Sequence, residues 1–138
     1  MKIYFAGSIR GGRDCKDAYL EIINHLKQYG EVLTEHIGNQ DLADSGEKGI
    51  SEERIYNRDM FWLKQSDVVV AEVSSPSLGV GYELSRAEKM GKRILCLYKL
   101  QKGKMLSAMI QGNKNFVVKE YDDVDEALKF VDEFFKEL

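Results

Sequence analysis

Proline is nearly absent from this chain of 138 residues; Pro76 is the only one. Helices and strands can run without the kinks and ladder breaks that proline imposes, and the single proline reads as a loop residue. Cysteine is almost as scarce. Cys15 and Cys96 fall in apolar phases of their local patterns, which reads as two small core residues, not a disulfide framework. A reducing interior is the expected compartment: the cytoplasm, or in a eukaryote also the nucleus. Two histidines, His25 and His36, are too few and too far apart for a zinc site. No apolar run is long enough to span a bilayer. The N-terminal KIYFA runs into polar, glycine-rich sequence and lacks the features of a secretory signal. Positive charge is not in excess either. Lys and Arg number 20 against 23 Asp and Glu, a net charge of -3 without a basic stripe. That argues against a nucleic-acid polymer as partner, though not against a single nucleotide.

What is present is an ordinary globular composition, 43% hydrophobic and 31% charged, enough to fill the core of one domain over residues 1–138. No repeat, low-complexity segment or linker interrupts it. Strand and helix patterns alternate throughout. Lys2–Ala6 reads as a strand. Residues 13–29 read as a helix with Cys15, Tyr19, Ile22, Ile23 and Leu26 on one face, stopped by Gly30. Glu31–Leu33 is a short strand, followed by a polar stretch over 34–50 of the length that functional loops have. Ser51 caps a helix through Gln65. Asp67–Val73, the most apolar run, is the expected central strand. A helix over 79–90 ends at Gly91. Arg93–Tyr98 is a strand, 104–111 a short helix, and Asn115–Lys119 a strand. The tail from Asp123 to Leu138 is an amphipathic helix. Repeated βα units imply a Rossmann-like or flavodoxin-like α/β fold, with five parallel strands and helices on both faces.

Two carboxylates stand out against these patterns. Asp59 lies among Ile55, Trp62 and Leu63 on the apolar face of its helix, where an acid is unfavourable unless paired or used. Glu83 lies within the arc of Val80, Leu84, Ala87 and Met90. It is read as a first-turn residue, where exposed N–H groups and the macrodipole favour the ionised form. Structural explanations exist for both: a buried bonded acid, and a helix-start glutamate. Together, beside the central strand, they suggest chemistry at a glycosidic carbon. The turn after the first strand, Gly7-Ser8-Ile9-Arg10-Gly11-Gly12, offers backbone N–H groups and an arginine to an anion. It fits neither GxxxxGK[ST] nor GxGxxG, and a plain βα turn would also account for it.

IYFAGSIRGGR at 3–13, VLTEH at 32–36, DVVVAEVSSPSLGVGYEL at 67–84, KRILCLY at 92–98 and LSAMI at 106–110 resemble the 2'-deoxynucleoside 5'-phosphate N-hydrolases, relatives of the nucleoside 2-deoxyribosyltransferases. The resemblance covers nearly the whole chain; the 34–50 stretch and the last helix diverge. It implies release of a free base from a deoxynucleoside monophosphate, without metal or organic cofactor. It implies Glu83 as nucleophile at the anomeric carbon, Asp59 as the acid that handles protons on base or water, and Tyr4 as the group that orients Glu83. Gly7, Ser8, Ile9, Arg10, Gly11, Ser77 and Gly79 would surround the nucleotide, with the serines, Arg10 and Gly79 at its 5'-phosphate. Ser107 would reach a phosphate from the neighbouring subunit of a homodimer, and Met109 would also bind the substrate. His36 is a candidate contact for the base. A close acid pair, about 5–5.5 Å apart, would suit a retaining route through a glycosyl-enzyme.

Each of these residues has a plainer reading. Tyr4 suits a packed strand, Ser8 and Ser77 suit turns, Ser107 suits a helix start, Trp62 suits a core, and His36 suits a surface. Other functions also fit in part. A deoxyribosyltransferase would share the glycosyl-enzyme but has no need of three phosphate-binding elements. A ribonucleotide N-glycosidase of CMP type is a closer variant. A non-catalytic nucleotide sensor would not need two acids near the sugar. Phosphoribohydrolases carrying PGGxGTxxE lack their motif here.

Overall fold

The computed structural model of the chain describes residues 1–9, 15–38 and 46–138. Five strands form one parallel sheet in the order β2-β1-β3-β4-β5: β1 Lys2–Gly7, β2 Glu31–Val32, β3 Val68–Glu72, β4 Arg93–Lys99 and β5 Phe116–Tyr121. The all-apolar run at 68–71 is indeed central, and β3 is buried from end to end. The helices are α1 Lys16–Leu26, α2 Glu52–Gln65, α3 Leu78–Lys89, α4 Ala108–Gln111 and α5 Val124–Lys136, with a 3₁₀ turn over Glu35–Gly38.

Strand alternation sorts the core into two layers. Ile3, Phe5, Val68, Val70, Leu95 and Leu97 pack with Tyr19, Ile22, Ile23 and Leu26 of α1 and with Ala127, Val131 and Phe134 of α5. Tyr4, Ala6, Val69, Ala71, Ile94 and Cys96 face the other way, toward Leu63 of α2 and Val80, Leu84 and Ala87 of α3. Burying each such aliphatic side chain contributes about 1.5–3 kcal/mol. Leu63 is the only fully buried residue of α2, so much of that helix's inward face is left for something other than the core. The sheet order reverses direction between β1 and β3. In open α/β sheets the crevice at such a point, outside the carboxyl ends of the strands, is where ligands bind.

Several boundaries differ from the sequence reading. α1 ends at Leu26, and Gly30 does not take a left-handed conformation. It is needed because a Cβ there would lie 2.2 Å from the Met1 carbonyl oxygen. Gly91 is a true left-handed stop, φ 72°, with Lys92 N–H donating to Ala87 O at 3.1 Å. α4 is shorter than expected because a left-handed Gly103 and the Ser107 cap delay its start. Met90 is exposed, not part of the α3 core arc, and Cys15 is only half-buried, whereas Cys96 is buried. The starting residues of the 13–29 helix, the turn residues Arg10, Gly11 and Gly12, and 39–45 of the polar stretch lie outside the described residues.

Candidate active site

The alternation that sends Phe5 to one layer sends Tyr4 to the other, beneath α3. Tyr4 is fully buried and its phenol donates to Oε1 of Glu83 at 2.6 Å. Burial, reinforced by the Glu83 charge, pushes the phenol far above its ordinary range. Tyr4 therefore remains a donor and cannot itself act as a base near neutral pH.

Glu83 departs from the sequence expectation in an informative way. Ser77 caps α3 by accepting from Val80 N–H at 3.2 Å, so the helix starts at Leu78 and has no acid in its first turn. Glu83 stands in the second turn, where the macrodipole has weakened. Burial wins, opposed by the Tyr4 hydrogen bond and assisted by the charge of Asp59, and the Glu83 carboxyl is pushed up to about 7. The helix field does not hold this group in the ordinary carboxylate range.

Asp59, on the inward face of α2, is likewise raised by burial, against the pull of the adjacent Arg58. The Arg58 Nε donates to Asp59 Oδ1 at 3.0 Å. Its terminal nitrogens donate to both oxygens of Glu47 at 2.8 Å. The guanidinium carbon lies 4.8 Å from the centre of a Trp62 ring. His36 meets Glu47 at 2.6 Å through Nε2, and burial keeps its imidazole below the ordinary range. Trp62, expected in the core, is half-buried between His36 and Arg58.

Both acids line one cleft of about 980 Å³, large enough for a nucleotide. Gly7 and Ile9 reach it from the end of β1, Ser77 and Gly79 from the start of α3, and Ser107 and Met109 from the start of α4. Ser107 and Met109 thus line the cleft of their own chain. Tyr4, Ser8 and His36 are not in its wall. Tyr4 acts from behind Glu83, and His36 is bonded to Glu47, which does line it. Ser8 is buried. Its N–H donates to Tyr19 Oη at 3.0 Å, and its hydroxyl has no partner among the described residues. Gly7 is a packing glycine, since a Cβ there would lie 3.0 Å from the Tyr19 ring.

Three features were missed in the sequence. Glu47 and Arg58 flank Asp59; the only signals were an arginine next to an aspartate and four residues before Trp62. Tyr56 and Tyr82, both half-exposed, meet at the cleft with hydroxyls 3.3 Å apart. The third is Glu72, a buried acid at the end of β3. Its Oε1 accepts from Ser74 N–H at 2.9 Å and from the Ser74 hydroxyl, and Ser74 Oγ in turn accepts from Lys99 N–H at 2.7 Å. The loop that forms the cleft wall at Ser74 and Ser75 is tied to the sheet by this acid.

A carboxylate with a second acid on the same cleft is the usual equipment for displacement at an anomeric carbon. The fold and these two acids suit an α/β protein of the glycosyl-displacing class. The chain belongs to the nucleoside 2-deoxyribosyltransferase family, whose pattern it matches over residues 3–123. A Danio rerio protein named 5-hydroxymethyl-dUMP N-hydrolase is 51% identical over 141 residues, covering 100% of this chain and 98% of its own. The Tetraodon nigroviridis protein of the same name is 51% identical over 135 residues, covering 94% and 95%. Among solved structures, the Clostridium botulinum CMP N-glycosidase superposes with a TM-score of 0.69 over 96% of this chain and 99% of that one. At 20% identity this is a likeness of fold.

Proposed function

We propose that the protein hydrolyses the N-glycosidic bond of 2'-deoxynucleoside 5'-monophosphates, giving free base and 2-deoxyribose 5-phosphate by way of a sugar ester on Glu83. The observation that carries this reading is the Tyr4–Glu83 hydrogen bond on a cleft shared with Asp59. The N-hydrolase names of relatives at 51% identity support it.

In the first step the ionised Glu83 attacks C1' of the deoxyribose. The C1'–N bond breaks, its electron pair leaves with the base, and Asp59 supplies the proton the base needs. In the second step Asp59 takes a proton from water as its oxygen attacks C1', and the Glu83 ester bond breaks. Glu83 returns as carboxylate and Asp59 as acid, so atoms and charge balance. Both transition states resemble an oxocarbenium ion. A 2'-hydroxyl would withdraw electrons from that cation, which favours deoxy substrates. Tyr4 holds one Glu83 oxygen, leaving the other to attack.

The 5'-phosphate is assigned to Ser77, Gly79 and Ser107, which line the cleft, with Ser8 and Arg10 as the further residues the resemblance implies. Ser77 and Ser107 each use a lone pair as a helix cap, accepting from Val80 N–H and Met109 N–H. Each hydroxyl hydrogen is left to donate to a phosphate oxygen.

A base-release panel tests the reading. It contains the common deoxynucleoside monophosphates, 5-hydroxymethyl-dUMP (placed first by the names of the relatives), matching ribonucleotides and unphosphorylated deoxynucleosides. Release from 5'-phosphorylated deoxy substrates without an acceptor base is expected. Exchange only from nucleosides, and only with an acceptor base present, would replace hydrolysis by deoxyribosyl transfer.

Two copies of the chain are proposed to pair across the cleft mouth, with Ser107 serving the neighbouring site. Leu78 at 97% exposure, Met105 at 93% and Met109 at 81% leave an apolar rim of the kind that marks interaction surfaces. Mixed dimers of Ser107→Ala and Glu83→Ala subunits are expected to regain one working site, because both lesions then fall in the same cleft. Failure to regain activity would assign Ser107 to its own chain's cleft.

A further inference from the structure

Residues i and i+1 of a helix point about 100° apart and do not ordinarily face each other. Arg58 and Asp59 are such neighbours on α2, yet the Arg58 Nε sits 3.0 Å from Asp59 Oδ1 and a terminal nitrogen sits 2.9 Å from the same oxygen. Something must fold the arginine back, and two groups do so. Glu47, from the segment before α2, takes both terminal nitrogens at 2.8 Å. Trp62, one turn further along α2, lies under the guanidinium at 4.8 Å. The planar fork of arginine is what lets one side chain grip two carboxylates and stack on a ring at once; lysine offers a single point charge.

We propose that Arg58 is a positioning residue. Braced by Glu47 and Trp62, it clamps Oδ1 of Asp59, leaves Oδ2 outside the clamp to meet the leaving base and the water, and supplies the positive charge that governs the Asp59 proton. The proposal rests on the N-hydrolase reading and adds to it the residue that sets the geometry and charge of the second acid.

Loss of that cation would leave Asp59 to the other groups that face it. Glu47 comes from the 46–50 segment, His36 from the 3₁₀ turn, Glu83 from α3 and Tyr4 from β1. Glu52 lines the same cleft two turns up α2. The acids among these groups favour the protonated form of Asp59, burial does the same, and His36 is held below its ordinary range. Arg58 is the cation that acts most strongly against them. Without it the Asp59 carboxyl holds its proton to higher pH.

The test uses Arg58→Gln and Arg58→Lys. For Arg58→Gln, kcat is expected to fall about 10- to 100-fold while KM changes little, because the acid loses its orientation and the phosphate contacts are untouched. The limb of the pH profile that reports Asp59 is expected to move upward. Arg58→Lys should restore much of the limb and little of kcat, since it returns charge without the fork. A purely structural role would lower both variants' activity together and leave the limb in place, and that result would overturn the proposal. A second measurement needs no substrate: ¹³C NMR titration of the Asp59 carboxyl in a Glu83→Gln background, with and without Arg58→Gln. An upward move supports the clamp. An unmoved Asp59 titration would overturn it even if the wild type proves an active hydrolase. A wild type silent on the base-release panel, with the Asp59 titration displaced as expected, would remove the hydrolase reading and leave the clamp in place.

Discussion

Replacing Glu83 with glutamine is expected to reduce base release at least about 10³-fold, the loss seen when a nucleophile has no substitute, while making the protein more stable at alkaline pH. Glutamine keeps an oxygen for the Tyr4 phenol and removes only the charge. The carboxyl rises from 4.5 to about 7 on folding. A raised acid contributes stability that is full below pH 4.5 and lost as pH climbs through about 7. Above that point the wild type is destabilised by up to about 3 kcal/mol relative to an uncharged side chain. Urea denaturation should find the variant and wild type nearly matched at pH 4 and separated by a few kcal/mol at pH 8. A gap that stays constant across that range would refute the buried-carboxylate account. The same shift places one limb of the wild-type kcat/KM profile near pH 7, and because the two acids titrate as a pair the limbs belong to the pair.

Asp59→Asn carries the second-largest expectation. Removing a general acid lowers rates about 10²- to 10⁴-fold, but a proton donor matters less when the departing base is already a good leaving group. Measured over 5-substituted dUMP substrates whose free bases differ in acidity, the loss in kcat should shrink as the base becomes more acidic. The same loss for every base would mean that Asp59 shapes the cleft without moving a proton, and the two-step scheme would need another acid.

Individual elements differ in how much of themselves they wrote into the sequence. The run at 67–73 and the tail pattern at 124–135 declared strand and helix because burial imposes a period on side chains, and a period survives without coordinates. The same period placed Asp59 and Glu83 on inward helix faces, and both line the cleft. The start of α3 was misplaced for a local reason. The 79–90 reading starts one residue late, because the Ser77 hydroxyl caps the helix and Leu78 is its first residue. Glu83 stands in the second turn, where burial outweighs the weakened macrodipole and raises its carboxyl. The Tyr4–Glu83 bond spans 79 positions and no local pattern reports it; only the family resemblance pointed there. The Arg58 clamp left only an arginine beside Asp59 and four residues before Trp62, because it requires two helix neighbours to meet and a partner, Glu47, from an irregular segment.

Glu72 has a thermodynamic consequence for binding. A loop anchored only to solvent would have to be immobilised when ligand arrives, at about 0.5–1.5 kcal/mol for each rotamer-rich side chain ordered. Here the Ser74–Ser75 wall is already held by a buried acid and by Lys99 N–H before any ligand enters. Much of that ordering entropy is therefore lost during folding, and association should proceed with a correspondingly smaller entropic penalty on this side of the cleft than on the side formed by the exposed Met105 and Met109.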